Sequence, residues 1–159
     1  MTNLELIRKA KGMSQTMLTI RSGVEQCRIS AFETMRADIN NARIETVATL
    51  AKALNVKAWE ILNDDLGEML RGVAQYEEQE HDDWFAGTRF AEMRKRMKMS
   101  QLDFSYDIMM TQSQVSKYER LGVECVRIET ICRLCISLAC SPCDLIDDKI
   151  TRDLLRGVL

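Results

Sequence analysis

Met13-Ser14-Gln15, followed by Ile29-Ser30-Ala31-Phe32-Glu33, returns 86 residues later as Met99-Ser100-Gln101, followed by Val115-Ser116-Lys117-Tyr118-Glu119. Arg8-Lys9 is matched by Arg94-Lys95 at the same offset. The offset then falls to 84, so that Ile44-Glu45-Thr46 answers to Ile128-Glu129-Thr130, Leu50 to Leu134 and Leu54 to Leu138. The first copy thus holds two extra residues between Glu33 and Ile44, an insertion expected in a surface loop, where the backbone faces water. Leu70-Arg71-Gly72-Val73 also returns, as Leu155-Arg156-Gly157-Val158. The sequence therefore reads as a duplication within 159 residues. Each copy is too small to bury a large core of its own, and stability is expected to lean on contacts between copies or on a partner.

The apolar residues recur at spacings of three and four, the period of amphipathic helices, and no alternating strand pattern occurs. Leu4, Ile7 and Ala10 open a first helix that breaks at Gly12, and Ser14 reads as the N-cap of a second. Gly23 ends that helix, and a third is expected over residues 25–35. Residues 44–54 are strongly helical, with Val47, Leu50, Ala51 and Leu54 on one face, and a short fifth helix is expected over residues 58–62. The second copy repeats the plan, with Ser141-Pro142 as N-cap and first turn of its last helix. The expected architecture is all-α: two five-helix units at 1–62 and 87–146, a connector at 63–86, and a helical C-terminal tail at 147–159. The connector divides into a helix at residues 66–76 and the acidic run Glu77-Glu78-Gln79-Glu80-His81-Asp82-Asp83, read as a solvated tether with His81, the single histidine, in solvent.

The net charge of −2 averages over unlike parts. Residues 1–62 hold nine Lys/Arg against six Asp/Glu, and residues 87–146 nine against seven. The connector holds one against eight and the tail three against three. Mildly basic units around an acidic connector permit a nucleic-acid partner without requiring one. No apolar run approaches the ~20 residues that span a bilayer, and the first residues lack the basic start and apolar run of a signal peptide. A soluble, cytoplasmic protein with no membrane association is expected.

Both copies resemble the phage-repressor or Cro-like (XRE) helix-turn-helix family. The resemblance rests on Gln15, Leu18, Thr19, Gly23, Ile29-Ser30 and Glu33, and on Gln101, Phe104, Ser105, Val115-Ser116 and Glu119, at one shared spacing. It implies a lambda-repressor-like fold for each unit and a bacterial or phage origin. It also implies structural ion pairs of Arg8 with Glu33 and Arg94 with Glu119, and small residues at Thr19 and Ser105 where the two helices cross. The third helix would lie in the major groove with its N-terminal residues on base edges. In the second copy this face is Thr111, Gln112, Ser113, Gln114, Ser116 and Lys117, with Gln112 as adenine reader. Gln101 would meet a phosphate, and Lys117, Arg120 and Arg127 would neutralise others. In the first copy the face is Gln26, Cys27, Arg28 and Ser30, with Gln15 at the phosphate and Arg28 suited to guanine. Two departures stand out. Glu25 occupies the place of a Ser or Thr cap, and Met109 replaces the turn glycine, so a rearranged turn is expected there.

Cys132-x-x-Cys135 and Cys140-x-x-Cys143 have the look of a metal motif, but their pairs are separated by only four residues, against about 12–20 in zinc modules. The repeat places them opposite Ala48, Ala51, Val56 and Trp59, so they are expected to pack in the core, with no metal and no cofactor. No nucleophile–base set or phosphate loop points to an enzyme. The resemblance implies a sequence-specific DNA-binding regulator, a repressor reading two half-sites of a double-stranded operator. The alternative is a protein-binding module on the same scaffold, an antitoxin or an inhibitor of a nucleic-acid enzyme. A homodimer or a protein partner is compatible with either reading.

Overall fold

The computed structural model describes residues 1–81 and 87–159. Among these it is all-helical, with eleven α-helices, two 3-10 turns and no strand. In the first half these are α1 (Asn3–Ala10), α2 (Gln15–Ser22), α3 (Gln26–Glu33), α4 (Ile44–Leu54) and α5 (Asp64–Val73), with 3-10 turns at Ile39–Asn41 and Ala58–Ile61. The second half holds α6 (Arg89–Arg96), α7 (Gln101–Asp107), α8 (Gln112–Leu121), α9 (Ile128–Leu138), α10 (Pro142–Leu145) and α11 (Lys149–Val158).

Local chemistry sets these bounds. An N-cap oxygen satisfies one of the N–H groups that a helix start leaves without a partner. Ser14 accepts from the Met17 N–H at 3.0 Å, and Ser100 does the same for Asp103 at 3.1 Å. Gly23 closes α2 in the left-handed conformation, at φ 72°. Met109, its counterpart, takes φ 52°. The expected rearrangement of that turn does not occur: methionine accepts the left-handed backbone, at a cost of about 1–2 kcal/mol, and its side chain extends into solvent at 87% exposure.

Other expectations shift in detail. The third helix runs Gln26–Glu33 rather than from 25 to 35, since Glu25 is its N-cap and Met35 is left-handed at φ 58°. The expected fifth helix of the first half is only a 3-10 turn, and the connector helix starts at Asp64 and ends at Val73. The inserted residues do not form a plain surface loop. They carry the 3-10 turn Ile39–Asn41, whose Ile39 is buried and which packs against α9. Asn40 is tied reciprocally to Asn63 just ahead of α5, with both bonds at 3.0 Å.

The two halves exchange their last helices. α5 packs on Ala58–Ile61 of its own half and on α9 of the other. α11 packs on α10 and on α4 of the first half. The buried stripe of α5 is Leu66, Leu70 and Val73; that of α11 is Thr151, Leu155 and Val158. An antiparallel bridge joins Arg43 to Arg127, the residues that precede α4 and α9. Equivalent residues paired antiparallel, with reciprocal helix packing, mark a pseudo-twofold axis between the halves. Glu124 adds a tie within the second half by accepting from the Asp147 N–H at 2.6 Å and the Asp148 N–H at 3.2 Å, just before α11.

The acidic run is not a free tether over its described part; Asp82 and Asp83 lie outside the described residues. The Glu78 carboxylate pairs with Arg156 at 2.8 Å, and the Gln79 N–H donates to Asp144 Oδ1 at 2.8 Å. His81 is half-buried, and its side chain is covered rather than solvated. Its Nδ1 lies 2.9 Å from Glu92 Oε2 and its Nε2 3.2 Å from Asp144 Oδ1. The bond to Asp144, against the opposing pull of burial and with help from Glu92, holds its pKa above the ordinary imidazole value. A raised pKa stabilises the fold fully below the unfolded value of about 6.5, and that contribution is lost as pH rises through the folded value. The melting-temperature gap between the native chain and His81→Gln is therefore expected to be widest near pH ~6 and to narrow steadily towards pH ~9. A gap that is constant or widens with pH contradicts this placement.

Candidate nucleic-acid interface

In each half one arginine bolts the third helix, α3 or α8, to the rest of the unit. Arg8, on α1, donates from Nε to Glu33 Oε1 at 2.6 Å and from Nη2 to Oε2 at 2.8 Å, while Nη1 reaches the Met13 carbonyl at 2.5 Å. Arg94, on α6, reaches Glu119 and the Met99 carbonyl in the same way. The planar guanidinium suits this forked geometry. Burial alone would raise the Glu33 and Glu119 carboxyls, but the bonds from the arginine and from Gln15 or Gln101 outweigh it and hold both below the usual range. Lowered carboxyl pKa values contribute stability at neutral pH that is lost as pH falls through the folded values.

The glutamines at the helix starts are part of this bolt. Gln15 Nε2 donates to Glu33 Oε2 at 2.8 Å, and Gln101 Nε2 to Glu119 Oε2 at 2.6 Å. Their side-chain donors are thus turned inward, away from the phosphate role the resemblance gives them. The first N–H groups of α2 and α7, which lack intrahelical partners, are the donors left for a phosphate.

On the exposed face of α8, Gln112, Ser113, Ser116, Lys117 and Arg120 share one shallow cleft of about 420 Å³ with Gln101. Val115, on the opposite side, is fully buried and fixes the rotation of the helix. Gln114 is exposed but differently employed. The Thr111 N–H donates to Gln114 Oε1 at 3.0 Å, and Thr111 Oγ1 accepts from the Gln114 N–H at 3.2 Å. This reciprocal cap commits the Gln114 amide oxygen to the helix start. Among the described residues Gln112 makes no such bond, which leaves its amide open on this face.

The first half is built differently. Gln26, Cys27 and Arg28 are exposed and Ser30 is half-buried. Glu25 gives α3 no side-chain cap, and its Oε2 instead accepts from Cys27 Sγ at 3.4 Å. The Arg28 guanidinium lies 5.7 Å from the centre of the Phe32 ring. Behind each of α3 and α8 a pocket runs to the pseudo-twofold axis. One joins Arg28 to Arg43 (about 490 Å³), and the other joins Gln114 and Lys117 to Arg127 (about 600 Å³). The sequence does not single out Arg43, although its equivalence to Arg127 in the repeat is a signal that could.

The four paired cysteines are buried, and Cys27 and Cys125 are exposed. Burial pushes the Cys132 and Cys143 thiols up to about 12, so both stay protonated and pack as small apolar side chains.

Residues 89–149 match the family model of the Cro/C1-type HTH DNA-binding domain. No curated protein and no solved structure matches the chain. The second half therefore carries a helix-turn-helix of the kind that binds double-stranded DNA, formed by α7 and α8 on the α6 scaffold. Among the described residues no helix is long and apolar enough to cross a membrane.

Truncating one partner of a buried pair leaves the other charge unpaired, at a cost of about 3–5 kcal/mol. Glu119→Ala is expected to lose that much in denaturant unfolding, whereas the exposed Glu77→Ala changes stability by less than about 0.5 kcal/mol. Equal losses would remove the bolt from the account.

Proposed function

We propose that the protein is a sequence-specific transcriptional regulator of the repressor type, in which one chain presents two tandem helix-turn-helix domains to two half-sites. The observation that carries this reading is the antiparallel bridge of Arg43 to Arg127. Each of these arginines borders the pocket beside its own recognition helix. A twofold axis keeps related points at the same height along it, so α3 and α8 face the same side. That is how a helix-turn-helix dimer addresses two major-groove segments about 34 Å apart. Covalent linkage turns the second contact into an intramolecular one and strengthens it through effective concentration. Occupancy of a promoter is enough to block it, so repression needs no chemistry from the chain.

The test is a hydroxyl-radical footprint on a duplex recovered from a random pool. Two protected segments about one helical turn apart support the reading, and protection of one segment contradicts it. In the same assay Gln112→Ala is expected to weaken specific binding by about 1–3 kcal/mol with its melting temperature unchanged. Affinity should fall steeply with salt through counterion release. A flat salt dependence would favour the protein-binding use of the scaffold.

A further inference from the structure

We propose that the two recognition faces read different sequences, so that the operator is not a palindrome and the chain lies on it in one fixed orientation. This rests on the two-half-site reading. The faces agree at Ser30 and Ser116, and at Gln26 and Gln112, which gives both half-sites an adenine contact. They diverge two residues on, where Arg28 stands against Gln114. Arg28 is exposed and held near the Phe32 ring, with a fork suited to guanine O6 and N7. Gln114 has its amide oxygen in the Thr111 cap, and reading adenine by two bonds needs oxygen and nitrogen together.

The electrostatics diverge as well. Lys117 and Arg120 line the cleft of the second face, and their counterparts in the first are Ala31 and Thr34. Where Thr111 caps α8 without charge, Glu25 sets a carboxylate before α3. Phosphate contacts position and base contacts specify. The α8 face thus carries two phosphate-directed cations that α3 lacks, and the α3 face adds a guanine contact. Since the exchanged helices fix both faces in one molecule, the order of the two half-sites is fixed too.

The experiment is selection from a random duplex pool with the full chain, repeated with Arg28→Gln and with Lys117→Ala/Arg120→Ala. One bipartite motif is expected, its halves sharing an adenine and differing at the neighbouring position, with guanine on one side only. Arg28→Gln should erase the guanine and leave the other half unchanged. The double variant should lower the salt slope by about 1.8, at roughly 0.9 for each lost phosphate contact. A palindromic motif that Arg28→Gln leaves intact would overturn the proposal while the two-half-site reading stands. Failure to enrich any sequence would overturn both.

Discussion

The apolar stripes of α5 and α11 are buried across the pseudo-twofold axis, and the rest of the structure depends on that exchange. Leu70 and Leu155 are fully buried, and each such side chain contributes about 1.5–3 kcal/mol when removed from water. A unit of this size alone is marginal. Each half therefore lends its last helix to the other, and the folding of the two is coupled. The same exchange sets Arg43 beside Arg127, so that stability and the placement of α3 and α8 have one cause.

Within each half a second constraint operates at shorter range. Arg8 and Arg94 each satisfy a glutamate and a main-chain carbonyl, while the glutamate also takes a glutamine amide. Such a network is costly to break and tolerates little rotation of the helix that carries the glutamate. Ile29 and Val115, both fully buried, hold the opposite side of that helix. What remains exposed on α3 and α8 is then free to differ without disturbing the fold. That freedom is what allows one face to be capped and cationic and the other to be uncapped.

The helical elements were legible in the sequence because their signals are local. Ser14 and Ser100 announce helix starts, and the core face of residues 44–54 shows in its spacing. The reciprocal cap of Thr111 and Gln114 is also signalled, by a spacing of three residues, but the resemblance places Gln114 on the DNA-facing side. The exchange of α5 and α11 was not legible: an amphipathic stripe says that a face is buried, not against what. His81 misled for the same reason. Its sequence neighbours are acidic and polar, while its partners Glu92 and Asp144 lie 11 and 63 positions away. The inserted turn at Ile39–Asn41 was expected in solvent, and only its packing against α9 explains a buried isoleucine there.

In the function we propose, one chain does what two subunits of a repressor dimer do. Sedimentation equilibrium of the complex with a duplex carrying both half-sites tests it most directly, because mass counts chains without reference to sequence. One 18.3 kDa chain per duplex is expected at saturation, with no larger species as protein is added. Two chains on the same duplex, each using only its α8 face, would contradict it.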